Sequence, residues 1–480
     1  MSPEWAGLSD LATASQWLFL AYFVGSNGGY MILHLLSLFS VRRYMESRVL
    51  DALPRPAGGY EPPVSIIVPA HNEQAAIAAS VRALLRLEYP EYEVIVVNDG
   101  SRDGTFAALR EEFGLALFPE AYWRRLRVKP VHGIYRSARF PNLRVVDKMH
   151  GGKADALNAG INATRYPLFC AVDADSVLRS DSLRRIIQPF LEDPATVAAG
   201  SAIRVANGCK IADGFVDKVG LPSSLLAQVQ IVEYLRVFLF GRLGWAPLNA
   251  VLFVSGAFAV FRKESVVAAG GYRGGTVGED MEIAVWLHRL NRLVRRPYRI
   301  AFVPDPVCWT RVPESLRTLR NQRVRWQRGL AESMRMNLGL LLHPRGGVAG
   351  WLAFPFAVLT EWLGPLLEVL GYVLIAAGFA LGLISAEAFI ALIAVALGLG
   401  LTVSLGALLV EELSFRLYRR PGQLALLMVA VLIENLGYRQ LVALWRLSGL
   451  FRWLAGRPAE PQSQSQAASQ SRPPDVPGTK

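Results

Sequence analysis

LFCAVDAD (168–175) runs from an apolar stretch straight into a pair of aspartates. VSIIVPA (64–70), VIVVNDG (94–100) and LRVVD (143–147) share its form. Each is short, rich in β-branched or other apolar residues, and ends in polar or turn-forming residues. That is how parallel strands buried on both faces read. Helical stretches fall between several of them, such as Glu73 to Leu87 and Lys153 to Ala163. The alternation predicts a doubly wound α/β sheet over residues 64–342, with ligands at the carboxyl ends of the strands.

Outside this domain the chain changes character. Residues 17–39 are apolar, free of formal charge and long enough to cross a bilayer. Glu4 and Asp10 precede them, and Arg42, Arg43 and Arg48 follow. The positive-inside bias puts the N-terminus outside and the next domain in the cytoplasm. Residues 1–53 therefore read as an N-terminal membrane segment, and the proline- and glycine-rich stretch 54–63 as a linker. Residues 343–456 are apolar again and predict about three further spans or interfacial helices. Trp351 to Leu383 reads either as one long span or as an interfacial helix followed by a span from Gly364. Phe389 to Val410 is a clean span, and the last, interrupted by Glu434 and Arg439, is poor or kinked. Residues 457–480, rich in Gln, Ser and Pro, read as a disordered tail.

Composition agrees with a multi-pass protein of the cell membrane. The chain has 480 residues, 52% hydrophobic and 19% charged, against about 45–50% and about 25% in soluble proteins. Its 51 basic and 39 acidic residues give a net charge of +12, which suits a phosphate-bearing ligand or an anionic membrane surface. No zinc finger, basic zipper or RNA-binding signature accompanies the charge, so nucleic acid is not expected as a partner. Cys170, Cys209 and Cys308 are widely spaced and form neither a disulfide framework nor a zinc motif.

The chemistry concentrates at the strand ends. Asp173 and Asp175, at i and i+2, can hold one hard divalent cation, Mg²⁺ or Mn²⁺, or serve the turn alone. Asp99 can accept hydrogen bonds from a base or sugar, or cap the helix that follows. Glu73 is either a nucleotide ligand or an ordinary first-turn acid. GGKADALN (151–158) is a glycine-rich turn entering a helix, where amides and Lys153 suit a diphosphate. Glu279 and Asp280 open another helix, and a carboxylate there can remove a proton from an attacking hydroxyl. RTLRNQRVRWQR (317–328) carries five arginines and Trp326. Such a run is either a solvated basic face or a diphosphate clamp beside a sugar-stacking surface.

Taken in order, H-N-E (71–73), N-D-G-S (98–101), G-G-K-A-D-A-L-N, D-A-D, G-E-D (278–280) and Q-R-V-R-W (322–326) resemble the membrane-bound family 2 glycosyltransferases, the relatives of hyaluronan, cellulose and poly-N-acetylglucosamine synthases. The resemblance spans Val64 to Trp326. It implies a GT-A fold between transmembrane helices, a nucleotide-sugar donor (usually UDP-linked), a carbohydrate acceptor and inversion at the anomeric carbon. By motif, Glu73 and Asp99 contact the uridine, and Lys153 lies near the diphosphate. Asp173 and Asp175 form the nucleotide and metal motif, and Asp280, with Glu279 beside it, supplies the general base. Gln322, Arg325 and Trp326 stand beside the diphosphate and acceptor, and Ser255-Gly256-Ala257 lines the acceptor channel. Asn98 departs from the first Asp of many members, and no FxVTxK-like gating loop follows Trp326. The pattern leans towards the poly-N-acetylglucosamine and hyaluronan side. A processive polysaccharide synthase, with export or accessory subunits as partners, and a non-processive enzyme acting on a lipid or short acceptor both fit these motifs.

Overall fold

The computed structural model describes residues 3–51, 61–120 and 122–457. Residues 54–60 of the expected linker and 458–480 of the expected tail lie outside the described residues.

Among the described residues the strands are β1 (Val64–Ala70), β2 (Tyr92–Asp99), β3 (Leu115–Leu117), β4 (Val131–Ser137), β5 (Leu143–Lys148), β6 (Leu168–Val172), β7 (Val177–Leu178), β8 (Thr196–Val205), β9 (Lys210–Ala212), β10 (Phe215–Lys218), β11 (Phe258–Arg262) and β12 (Arg299–Thr310). Ten form one sheet in the order β3-β4-β5-β2-β1-β6-β11-β8-β12-β7, and β9 and β10 pair separately. β5, β2, β1 and β6 are parallel neighbours. Their interiors are almost wholly buried, with Ile66, Ile67, Val96 and Phe169 fully enclosed, as helices on both faces require. Ala70 pairs with Asn98, so His71 and Asp99 emerge side by side at one edge.

The sheet is mixed rather than wholly parallel. β11 runs antiparallel to both β6 and β8, with Phe258 opposite Val172. The reversal has a direct consequence for position. The start of β11 lies beside the end of β6, so Gly256 arrives at the same edge as Asp173. A parallel strand would have delivered that loop to the far edge.

The helices on this edge have local causes. The helix Leu316–Met336 begins at Ser315, whose hydroxyl accepts from the Thr318 amide at 3.3 Å. Its basic run divides by face: Arg323 is buried, whereas Arg317 and Arg320 face solvent. The helical segment Leu225–Leu248 interrupts the α/β pattern. It is largely apolar and packs against the first helix, Pro3–Asp51, so the domain expected over 64–342 carries an apolar helical insertion of its own.

Among the described residues three helices are long and apolar enough to cross a bilayer: Thr13–Glu46, Ala386–Ser414 and Pro421–Leu454. A bent pair, Ala349–Trp362 and Gly364–Ala380, meets at 52° and makes a fourth crossing if counted as one span. Ser385 caps the second of the three, accepting from the Ala388 amide at 3.2 Å. The third breaks at Leu436 and Gly437, where the backbone leaves the helical region. Glu434 and Asn435 sit buried at that break.

Candidate active site

Every residue given a role by motif lines one cavity of about 1180 Å³. Glu73, Asp99, Lys153, Asp173 and Asp175 come from the sheet edge. Gly256, Glu279 and Asp280 come from the reversed strand and the helix Glu279–Leu293, and Gln322, Arg325 and Trp326 from the helix Leu316–Met336. Residues that lie up to 253 positions apart thus meet because the parallel strands, the reversed strand and two helix starts share one edge.

Asp99 is almost fully buried at the end of β2. One carboxylate oxygen accepts from Lys148 Nζ at 2.5 Å and the Gly151 amide at 2.9 Å. The other accepts from the Gly152 amide at 2.8 Å and faces His150 Nδ1 at 2.9 Å. Asp99 therefore fixes the glycine-rich turn, and through it the start of the helix Lys153–Ala163. His71 and His150 stack with ring centroids 4.3 Å apart.

Lys153 Nζ lies 2.6 Å from Asp173 and 3.3 Å from Glu279. Burial alone would pull its pKa down, but Asp173, Glu279 and Asp280 hold the ammonium well above its ordinary range. The carboxylates of the chamber outnumber their cations. Burial, then Asp173, pushes Asp175 up against the pull of Lys153 and Arg311. Burial, with Asp280 and Asp173 adding to it, pushes Glu279 up against the pull of Lys153. Burial, then Asp175, Asp103 and Asp173, pushes Glu73 up to about 7. Desolvation lowers Arg325, against the pull of Glu279, Asp173, Asp175 and Asp280.

Asp280 is held by backbone. Its Oδ2 accepts from the Gly256 amide and its Oδ1 from the Met281 amide, both at 2.9 Å. A Cβ on Gly256 would stand 3.0 Å from Asp280 Oδ2 and 3.2 Å from Lys153 Nζ, filling the space where carboxylate and ammonium meet. Gly278, before the two acids, touches Gly329 backbone to backbone: a Cβ on either would come within about 3 Å of the other's main chain. The acid pair and the arginine–tryptophan helix are thereby fixed to each other.

Two sets of side chains can take a cation. Ligand atoms of His71, Asp99 and His150 all lie within 4.8 Å of one another. Asp99, however, already accepts from an ammonium and two amides. Asp173 and Asp175 fit a hard divalent ion better: both offer carboxylate oxygens, and both line the cavity.

The cavity does not stop at the sheet edge. It continues past Trp326 to Tyr22, Tyr30, Glu361, Glu368, Glu434 and Arg446 on the apolar helices. There the charges pair: Arg236 with Glu434 at 2.8 Å, Arg439 with Glu368 at 3.4 Å and Arg446 with Glu361 at 3.0 Å. Arg323 pairs with Glu233 at 2.6 Å and lies over the Trp326 ring at 4.4 Å. Motif reasoning found none of these pairs. The signal available was charge inside apolar sequence: Arg236 and Arg242 within IVEYLRVFLFGRLGW (231–245), and Glu434 and Arg439 in the last helix.

Comparison with known proteins bears on the family and the fold. The Glycosyl transferase family 2 profile matches residues 65–266, and the Glycosyl transferase family group 2 profile matches residues 168–405. The poly-beta-1,6-N-acetyl-D-glucosamine synthase of Staphylococcus epidermidis is 27% identical over 267 residues, 55% of this chain and 54% of that protein. The synthase of the same name from Staphylococcus aureus strain COL is 29% identical over the same shares. The chain spans about half the length of the curated relatives it matches. A mannosyltransferase of Pyrobaculum calidifontis, solved with GDP-Man and Mn²⁺, has the same fold, with a TM-score of 0.53 at 20% identity over 88% of this chain and 99% of that one. The sheet is thus of the GT-A kind, and the region spanning residues 65–405 carries glycosyltransferase family 2 domains.

Proposed function

We propose that the protein is an inverting glycosyltransferase that moves a sugar from a UDP-sugar to a growing, membrane-associated polysaccharide, and that it acts processively. The observation that carries this reading is the continuity of the cavity from Asp173 and Asp280 past Trp326 to the apolar helices. A single transfer to a soluble acceptor needs no such branch. The likeness to poly-N-acetylglucosamine synthases supports the same class of product.

The chemistry is a single displacement. The acceptor hydroxyl attacks the anomeric carbon, its proton goes to Asp280, and the bond to the diphosphate breaks with the electron pair leaving on oxygen. Each Asp280 oxygen keeps a second lone pair for that proton beyond its backbone amide. Lys153 and Arg325 supply positive charge to the departing diphosphate. A divalent cation held by Asp173 and Asp175 adds counter-charge there when bound. Trp326 offers the acceptor an apolar face. Glu73 and Asp99 shape the uridine end, Asp99 chiefly by fixing the turn over which the diphosphate lies. Gln322 faces the same space with its buried Oε1 unpartnered among the described residues.

The membrane location and the cytoplasmic placement of the catalytic domain belong to this proposal. They are supported by the apolar helices and by Arg42 and Arg43 just beyond the first apolar core. The test is purified protein given a panel of UDP-sugars, with UDP release and product length both measured. Long products from one donor support the reading. Release of UDP with only single-sugar products would overturn processivity, and inertness towards every UDP-sugar would overturn the donor class.

A further inference from the structure

Four of the arginines lining the helix-side branch have a carboxylate partner: Arg236, Arg323, Arg439 and Arg446. Arg242 does not share this arrangement. It stands in the turn Arg242–Trp245 that follows the π-helical segment Leu235–Gly241. Its side chain lines the cavity, and its Nη1 is buried without a hydrogen-bond partner among the described residues. Its guanidinium lies over the Phe238 ring at 4.8 Å from the centroid. Phe238 in turn meets Trp326 edge to face, with centroids 5.8 Å apart. A guanidinium, two aromatic rings and the Asp280 carboxylate thus border one space.

Burying a guanidinium away from oxygen is costly, because its five N–H donors are strong and cannot be silenced by losing the proton. Desolvation does pull Arg242 down to about 10, with Asp280, then Glu361, resisting. The group still carries its charge at neutral pH. A fold that keeps such a group beside its candidate base leaves the donors for something that arrives with oxygen atoms.

We propose that Arg242 is an acceptor-binding residue, donating hydrogen bonds to oxygen atoms of the neutral sugar whose hydroxyl Asp280 deprotonates. This rests on the reading of the site given above. A sugar matches the surroundings in both respects. Its C–H face covers Phe238 and Trp326, and its hydroxyl and ring oxygens meet the guanidinium. A neutral sugar is favoured over an anionic one by the company Arg242 keeps. Asp280, Glu279 and Asp173 form an acidic wall on one side. On the other, the charges are already cancelled in pairs, so an added anion meets repulsion and, among the described residues of that branch, no free cation besides Arg242.

The experiment uses the full chain in detergent with UDP-N-acetylglucosamine as donor and a β-1,6-linked N-acetylglucosamine tetramer as soluble acceptor. Transfer to the tetramer and loss of donor to water are measured together, with UDP affinity. Arg242→Gln and Arg242→Lys should each raise the acceptor KM at least tenfold, and leave UDP affinity and donor hydrolysis within about twofold. Arg242→Leu should abolish transfer yet melt no lower than the wild type, because it removes a half-buried cation that has no carboxylate partner among the described residues. A structural arginine would do the reverse, losing thermal stability, hydrolysis and transfer together, and that result overturns the proposal. A glucuronate-containing tetramer should compete at least tenfold more weakly than the neutral one, and equal competition overturns the neutral class. An active wild type with unchanged acceptor KM in Arg242→Gln overturns this proposal alone. A wild type inert towards both acceptor and water overturns the reading of the site along with it.

Discussion

The two ends of the cavity treat charge in opposite ways. At the sheet edge, Glu73, Asp175 and Glu279 crowd together and are pushed towards their protonated forms, with Lys153 shared between Asp173 and Glu279. Among the apolar helices, Arg236, Arg439 and Arg446 each meet a carboxylate, and Glu434 also accepts from Ser404 Oγ at 2.5 Å and Asn435 Nδ2 at 2.9 Å. Unbalanced charge is useful only where charge changes during a reaction or arrives with a ligand. Balanced charge is what a passage for a neutral molecule needs, since it offers hydrogen bonds without holding on. On the reading proposed above, the division separates a chemical chamber from a conducting branch within one cavity.

The contrast can be broken most severely at the chamber. Chelating divalent ions should abolish turnover, because the leaving diphosphate loses its counter-charge while Asp173 and Asp175 remain crowded. Full turnover in excess chelator would remove the cation from this reading. Next in size, Asp280→Asn should lower kcat by about a hundredfold or more, the scale of a positioned general base. UDP affinity should survive, since Asp280 faces the acceptor side. Near-normal turnover in this variant would mean that another carboxylate takes the proton.

A change in the branch should act on the fold and spare donor binding. Glu434→Gln strands Arg236 beside a neutral group and should destabilise the protein by about 3–5 kcal/mol, the scale for a broken buried pair. Arg236→Met combined with Glu434→Met should recover most of that loss. Thermal unfolding in detergent measures both, and UDP affinity should be unaltered in the double variant. A double variant no better than the single one would mean that Glu434 works through Ser404 and Asn435 rather than through Arg236.

Much of this was legible beforehand, for a physical reason. Strand ends and helix starts are local, so LFCAVDAD, VIVVNDG and GGKADALN announce both an element and the polar group it presents. All eleven motif residues reach one cavity because the parallel strands, the reversed strand and the helices beside them share an edge. What local patterning does not carry is pairing between distant elements. FAVFR (258–262) reads as an apolar strand in either direction, and only the sheet shows that it is reversed and so brings Gly256 to Asp173. Arg236 and Glu434 look like defects in apolar segments until each is seen to answer the other across 198 positions. Arg242 was missed for a further reason: its meaning lies in lacking such a partner.

The smallest predicted effect sharpens the chamber's side of the contrast. Burial and three neighbouring carboxylates raise Glu73 to about 7, so the fold favours its protonated form. That contribution to stability is complete below the ordinary carboxylate range and is lost as the pH rises through about 7. Glu73→Gln should therefore gain in melting temperature over the wild type between pH 5 and pH 8, measured without metal or nucleotide. A gap that does not widen with pH would mean that Glu73 is better solvated than its surroundings indicate.

The contact between Gly278 and Gly329 has a kinematic consequence. With no side chain between them, two main chains meet as a bearing of minimal clearance. The turn before Asp280 and the helix that carries Arg325 and Trp326 have no slack in which to slide independently. They form one rigid lever, and any opening stroke of the catalytic cycle has to flex elsewhere. The exposed pair Gly274 and Gly275, the latter at φ +83°, is the compliant joint nearest to it in the chain. On the processive reading proposed above, any motion of the apolar helices that reaches Trp326 is delivered to Asp280 in the same stroke, and advancing a product and resetting the chemistry would become one mechanical event.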